Sequence, residues 1–140
     1  GDSMVWFRKS DVVVTGDIFD ETSFPYIDVA HGGTISGIIE GLNRILDITV
    51  PKHEQEGGTL VIPGHGKLSD ESEVLEYRDM VTIIRDRVQK MIKDGMTLEA
   101  VKAARPTRDY DGRYGATPGL WTTEMFVEAL YRSLSQSKRP

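Results

Sequence analysis

Residues 59–67 have the sequence Thr-Leu-Val-Ile-Pro-Gly-His-Gly-Lys. The β-branched run that opens this stretch predicts a short strand, and the Pro-Gly pair after it predicts a turn. The turn presents His65 at the carboxyl end of the strand, and the glycine on each side of it permits a close approach of the backbone to a ligand. His65 is therefore a candidate metal ligand.

A second stretch of the same design lies upstream, at residues 11–19. Its sequence is Asp-Val-Val-Val-Thr-Gly-Asp-Ile-Phe, and its glycine turn presents Asp17. Taken alone, Asp17 is more typical of a turn or helix-cap aspartate, since Gly-Asp after a strand is a common turn. Because sheet proteins gather ligands at the carboxyl ends of strands, Asp17 and His65 together predict a metal site. The spacing by itself leaves open whether the two side chains meet.

The composition is that of an ordinary soluble domain: 140 residues, 39% hydrophobic and 28% charged. A net charge of −5, with lysines and arginines scattered along the chain, argues against a nucleic-acid partner. The absence of cysteine excludes disulfides, thiolate metal sites and a cysteine nucleophile, and it leaves the cellular compartment open. No apolar run approaches the length of a membrane span, so we expect no membrane partner.

The first half of the chain predicts a hairpin, a loop, a helix and a strand. Residues 4–8 and 11–15 are apolar runs separated by two residues, which suits a hairpin. Residues 16–33 form a loop longer than a compact domain needs as a connector, and such loops are often functional. Isoleucines and leucines at helical spacing follow Thr34, and residues 59–62 form the strand described above.

The second half predicts helices. Asp70 and Glu73 form a capping-box pattern before a long apolar stripe, and Gly95 ends that helix. A short helix is expected at residues 97–104, followed by a polar, glycine-rich stretch. A final helix then begins at Thr122 or Thr123 and frays at its carboxyl end.

Three segments, in this order, resemble the carboxyl-terminal half of hydrolases of the metallo-β-lactamase superfamily. They are Val-Val-Val-Thr-Gly-Asp-Ile-Phe, then Gly32-Gly33-Thr34 at the start of a helix, then Leu-Val-Ile-Pro-Gly-His-Gly. The match runs from Gly1 to about Asp94. It implies an α+β fold that is half of a four-layer αββα sandwich, with residues 1–140 as a single unit. The core of that unit is expected at residues 1–104, and a carboxyl-terminal arm and helix at residues 105–140.

The resemblance also implies a reaction. Asp17 would be the carboxylate that bridges two metals, and His65 would be the last histidine ligand of the second metal. One or two divalent ions, zinc first with iron or manganese as alternatives, would activate water for hydrolysis. The branch of the superfamily with cysteine at the bridging position is excluded, because the chain has none. We expect a small-molecule substrate of the ester, thioester or lactam type.

The chain departs from the family pattern in one large respect. Such enzymes carry a His-x-His-x-Asp-His motif and a further histidine upstream, whereas the only histidines here are His31, His53 and His65. At least four expected ligands are missing, together with the first sheet and its helices. We therefore expect the chain to be a fragment that is inactive alone. Its partner would be the missing amino-terminal half of the same domain or a second copy of this chain.

Residues near the start of the first predicted helix, which follows Thr34, are weaker candidates. His31 is a possible substrate-pocket residue or anion holder, although an ordinary loop histidine is the favoured interpretation. Gly33 and Thr34 open the helix and would face the active site, and capping is the simpler role for Thr34. In the carboxyl-terminal arm, aromatic residues either line a substrate mouth or, as is more usual, pin the arm to the body; they are Tyr110, Tyr114 and Trp121.

A second function class stays open from sequence alone. The chain would then be a non-catalytic interaction or scaffold module that kept the second half of the fold and lost its chemistry. Metal analysis and the sequence upstream of residue 1 distinguish this module from a hydrolase fragment.

Overall fold

The structure, a computed structural model, describes residues 2–136 of the chain. Gly1 and residues 137–140, which belong to the predicted unit and carry most of its predicted frayed end, lie outside the described residues. The fold is α+β, as predicted, and the described residues form one small sheet and five α-helices. These elements do not by themselves establish the four-layer sandwich that the resemblance implies.

Three short strands form the sheet, in the order β1-β2-β3. Strands β1 (Val5–Phe7) and β2 (Val12–Val14) are the antiparallel hairpin that the two apolar runs predict. Strand β3 (Leu60–Ile62) pairs with β2 in parallel, with Val13 opposite Val61. Because β2 and β3 are parallel, their carboxyl ends lie at the same edge of the sheet. The turns that carry Asp17 and His65 both leave from that edge.

Two capped helices follow the sequence pattern closely. Helix α1 (Ile35–Ile48) begins after Thr34, whose Oγ1 accepts a hydrogen bond from the Gly37 N–H at 3.0 Å. Helix α2 (Glu71–Lys93) begins with a complete capping box, in which the side chains of Asp70 and Glu73 each accept the other's backbone N–H. The predicted starts of both helices are therefore confirmed.

The remaining helices form the carboxyl-terminal part: α3 (Leu98–Ala104), α4 (Asp111–Tyr114) and α5 (Thr123–Gln136). The sequence predicts α3 and α5. The one-turn helix α4 was not predicted, because it lies within the polar, glycine-rich stretch. Helix α5 packs against α2 and α3, so the carboxyl-terminal part is joined to the body through one continuous core.

In the part of the chain that the structure describes, the helices cover one face of the sheet. Val61 points to this face and joins a buried core with apolar residues of α1, α2, α3 and α5, and Val13, its partner on β2, is fully buried. The opposite face carries six apolar side chains in two cross-strand rows: Val5, Val14 and Ile62, then Phe7, Val12 and Leu60. We call these six residues the outer sheet face. Its members are exposed or half-buried, and Phe7 is 53% exposed.

Among the described residues, no helix has both the length and the apolar character needed to cross a bilayer.

Candidate functional site at the carboxyl edge of the sheet

Asp17 lies in a tight turn directly after β2. The sheet pairing continues for one residue beyond the strand, because the Thr15 N–H donates to the Ile62 carbonyl at 3.0 Å. Gly16 then takes a left-handed backbone with φ +54°, which starts a 3₁₀ turn over Gly16–Ile18. The turn directs the Asp17 side chain outward, and its carboxylate is 64% exposed.

His65 lies in the turn after β3, and this turn packs directly on the Asp17 turn. The Gly64 N–H donates to the Phe19 carbonyl at 3.0 Å. A Cβ on Gly64 would lie 2.9 Å from the Gly16 carbonyl oxygen and would collide with the Asp17 carboxylate. The glycine before His65 therefore permits close contact between the two turns, which is a more specific role than the approach to a ligand that the sequence indicates.

The two candidate side chains meet. His65 Nδ1 lies 3.4 Å from Asp17 Oδ1, and both side chains are about two-thirds exposed, at 65% and 64%. Their meeting follows from the parallel pairing of β2 and β3, which sequence spacing alone does not establish. A carboxylate and an imidazole are thus presented side by side to solvent at one edge of the sheet.

A second carboxylate, which the sequence analysis missed, faces the same imidazole. Asp20 Oδ2 lies 3.3 Å from His65 Nδ1, and the Asp20 side chain is only 15% exposed. It follows Asp17 by three residues in the same loop. The pattern Asp-Ile-Phe-Asp-Glu-Thr contains it, but an acidic residue in a loop gives no indication of a role until the partner turn is placed.

Glu21, also missed, holds the backbone of the His65 turn. Its Oε2 accepts the Lys67 N–H at 2.9 Å, and its own N–H donates to the His65 carbonyl at 3.2 Å. The Lys67 side chain then reaches Glu73 at the start of α2, with 2.9 Å between Nζ and Oε1. The hydrogen bond that the Lys67 ammonium donates to the Glu73 carboxylate raises the pKa of Lys67 above its ordinary value. The turn is therefore tied to both the Asp17 loop and α2.

A cavity of about 700 Å³ opens beside Asp17 and runs along the first turns of α1. Gly33 and Thr34, two of the three substrate-pocket candidates, line it together with Asp17. Its walls also include apolar side chains, such as Tyr26 and Ile38. This volume lies within the range of pockets that take small molecules.

His31, the third candidate, is not among the residues that line this cavity. Its imidazole is 83% exposed, and its Nδ1 lies 2.8 Å from Asp28 Oδ2 within the same 3₁₀ turn. Thr34 both caps α1 and lines the cavity, so its two proposed roles coexist. Gly33 is required by packing, since a Cβ there would lie 2.8 Å from the Asp28 carbonyl oxygen.

The aromatic residues of the carboxyl-terminal arm hold the arm to the body. Tyr114 is buried, with its ring 5.6 Å from that of Tyr77 and 5.9 Å from that of Phe24. The Trp121 Nε1–H donates to the Phe24 carbonyl at 3.1 Å, and its ring packs edge-to-face on Tyr26. These contacts agree with a role in holding the arm to the body. Tyr26, which packs on Trp121, also lines the cavity beside Asp17.

Within residues 2–136, no group of three or more histidine, cysteine, aspartate and glutamate side chains is arranged to hold a metal ion. No protein-family model matches the chain, and no curated protein matches it either. The case for a function therefore rests on the geometry of this edge and on the sequence motifs that produce it.

Proposed function

We propose that the chain is the carboxyl-terminal half of a metal-dependent hydrolase of the metallo-β-lactamase superfamily. One observation carries the proposal: Asp17 and His65, the two residues that the family motifs select, lie 3.4 Å apart at the shared carboxyl edge of β2 and β3. The α+β architecture, with helices on one face of the sheet and an apolar opposite face, agrees with half of an αββα sandwich.

The donor atoms at this edge fit part of a zinc site. Asp17 accepts no hydrogen bond from any donor in residues 2–136, and His65 Nδ1 lies 3.4 Å away at ion-pairing distance, so the Asp17 oxygens are available to a cation. One carboxylate and one imidazole, both exposed, are ligands that zinc, iron(II) and manganese accept. A zinc ion bound here would supply Lewis acidity and lower the pKa of bound water from about 15.7 towards neutrality. One or two ions would require further ligands from outside this chain.

The cavity beside Asp17 supports a small substrate that is not a polyanion. Its charged lining consists of four carboxylates and one guanidinium: Asp2, Asp17, Asp28, Glu40 and Arg44. A net negative wall repels polyphosphates, whereas its apolar part suits the hydrocarbon portion of an ester, thioester or lactam. Gly33 and Thr34 line the same cavity as Asp17, so this part of the chain would bind and orient a substrate beside the metal.

The partner that we propose is the amino-terminal half of the same domain. The outer sheet face is apolar and uncharged, and a second apolar sheet packed face to face would cover it. The edge of the same sheet presents two ligands of an incomplete site. A single partner that brings both a sheet and further histidines meets both requirements, and the missing half is such a partner.

The test uses the protein encoded by the intact open reading frame. We expect zinc in the purified protein and hydrolysis of a small ester, thioester or lactam. Asp17→Asn and His65→Ala should each abolish metal retention and turnover, because the first removes the charge of the carboxylate and the second removes the imidazole. His53→Ala is the matched control, since His53 is an exposed histidine whose only described contact is Glu54 at 3.8 Å.

Unchanged hydrolysis in the Asp17 or His65 variant would refute the site. A reading frame without an upstream His-x-His-x-Asp-His segment, combined with no bound metal, would instead identify the chain as a non-catalytic scaffold module.

A further inference from the structure

Two carboxylates face the same nitrogen of His65, and the fold treats them differently. Asp17 Oδ1 and Asp20 Oδ2 lie 3.4 Å and 3.3 Å from His65 Nδ1. The Asp17 side chain is mostly exposed, whereas that of Asp20 is almost buried. Equal distances with unequal burial indicate different roles.

The Asp20 carboxylate is held by three donors from its own loop. Its Oδ1 accepts the Thr22 N–H at 2.8 Å and the Thr22 hydroxyl at 2.7 Å, and its Oδ2 accepts the Ser23 hydroxyl at 3.1 Å. These bonds close an Asx turn and leave Oδ2 with capacity for one further donor. His65 Nδ1 lies 3.3 Å from Oδ2, within ion-pairing distance.

The loop that carries Asp20 is anchored in the core on both sides. Phe19 is buried and packs edge-to-face on Tyr77, with 5.2 Å between ring centroids. The Tyr77 hydroxyl donates to the Ser23 carbonyl at 2.9 Å. Because the backbone on each side of Asp20 is attached to α2, its carboxylate has a defined position. Asp17 has no comparable hydrogen bonds in the described part of the chain.

We propose that Asp20 is a positioning residue, which holds the His65 imidazole with its proton on Nδ1 so that Nε2 is the nitrogen left to bind a metal. Histidine ligands usually donate their other ring N–H to a carboxylate, which sets the tautomer and the orientation of the ring. Asp17, which lacks other donors, remains available as a ligand. The inference rests on the proposed function only for what Nε2 binds, since the position of the proton is a property of this chain alone.

The test is the tautomer of His65, measured by two-bond ¹H–¹⁵N correlation in the ¹⁵N-labelled chain at about pH 9, where histidine is neutral. We expect Nδ1–H at His65, and at His31 as an internal reference because of its 2.8 Å contact with Asp28. Asp20→Ala should move His65 to the Nε2–H form. Asp17→Ala removes an equally distant carboxylate and should leave the tautomer unchanged.

Asp20→Asn keeps the volume of the side chain, and it provides a second test if the alanine variant does not fold. Its amide is a weaker acceptor, so it should also increase the Nε2–H fraction at His65 and leave His31 unchanged. An unaltered His65 tautomer in the Asp20 variants, or an equal change in Asp17→Ala, would overturn the inference.

A metal measurement separates this inference from the proposed function. In the intact protein, Asp20→Ala should lower zinc affinity about 10- to 100-fold, as is usual when the carboxylate behind a histidine ligand is lost. If the tautomer responds as expected but the intact wild-type protein binds no zinc, the positioning role stands and the hydrolase proposal falls.

Discussion

At the scale of single residues, the candidate site depends on the absence of side chains as much as on their presence. Gly64 lies where two turns cross, and Gly66, with φ +112°, has no space for a Cβ beside Glu21. The two glycines of the Pro-Gly-His-Gly motif therefore allow the turn after β3 to pack closely against the Asp17 loop. Its histidine is presented at the point where the two turns touch.

Gly64→Ala tests this interpretation. The added methyl group would press against the Gly16 carbonyl and displace the Asp17 carboxylate. We expect a loss of about 1–3 kcal/mol in the free energy of unfolding, as for overpacking elsewhere. Urea unfolding measures it, and the Asp17–His65 contact should be lost in the same variant.

Gly112→Ala is the control for that experiment, because nothing lies within 4 Å of a Cβ at this position and its φ is not positive. It should be neutral or slightly stabilising, since alanine favours a helix more than glycine does. Equal destabilisation by the two substitutions would show that crowding at Gly64 is not the cause.

The sequence predicts the residues of the site more easily than their supports. Asp17 and His65 follow strands in glycine turns, so local pattern is enough to select them. Asp20 and Glu21 act on a turn more than 40 residues away, through contacts that exist only once β2 and β3 are paired. A local pattern contains no information about such a partner, which is why these two residues were missed.

At the scale of elements, the amino-terminal end of α2 is fixed by several side-chain interactions. The capping box is complete, and Asp70 also binds Lys52, with 2.7 Å between the carboxylate and Nζ. The hydrogen bond from Lys52, followed by that from Ser72, lowers the pKa of Asp70 from 3.8 to about 2. The end of α2 next to the His65 turn is thus stabilised by an ionised carboxylate.

The lowered pKa of Asp70 predicts how the free energy of unfolding changes at acidic pH. A carboxylate whose pKa is lower in the folded state stabilises the protein above its unfolded pKa, and the contribution is lost as the pH falls. For Asp70 the loss should occur between about pH 4 and pH 2. Asp70→Ala should cost about 0.5–2 kcal/mol at neutral pH, which is the usual range for a lost cap. Its stability should then change less than that of the wild type over this acid range.

Thermal unfolding across the acid range measures the difference between the two proteins. Asp86→Ala, an exposed aspartate within the same helix paired with its neighbour Arg85, should stay within about 0.5 kcal/mol of the wild type. Parallel acid curves for wild type and Asp70→Ala would contradict the assignment.

Periodic elements were predictable and irregular ones were not. Helices α1 and α2 combine an apolar stripe with a side-chain cap, two independent local features that agree. Helix α4 has one turn and contains Gly112, and its hydrogen bonds form in a segment that the burial of Tyr114 holds in place. Its helical form therefore comes from tertiary packing, which a short polar sequence does not reveal.

At the scale of the whole molecule, the outer sheet face is unusual for a surface that faces solvent. Alternation along a strand normally places polar residues on a solvent-facing side. Here Val5, Phe7, Leu60 and Ile62 are apolar and exposed, while Val13 and Val61 are buried on the other side. A strand that is apolar on both faces is typical of a sheet covered on both faces. The α+β class follows from the pattern of elements, whereas the exposed apolar face of the sheet becomes evident only once the three strands are paired.

Phe7→Ser tests the covering layer. We expect the amino-terminal half, co-expressed with this chain as a separate polypeptide, to form a stable one-to-one complex. Loss of an exposed phenyl group should leave the chain folded, because Phe7 is outside the buried core. It should weaken the complex at least 10-fold, since burial of a phenylalanine side chain contributes about 1.5–3 kcal/mol. Size-exclusion chromatography with light scattering, and calorimetry of the separated halves, measure both quantities.

Leu120→Ser is the matched control, because Leu120 is a fully exposed apolar residue in the carboxyl-terminal arm, away from the sheet. It should not alter the complex. A homodimer that Phe7→Ser dissociates would assign the outer sheet face to a second copy of this chain. A complex that neither substitution weakens would place the contact elsewhere, and the apolar face would then need another occupant. Only a selective effect of Phe7→Ser on the two-half complex supports the sandwich, in which the sheet that covers this face also completes the site at Asp17 and His65.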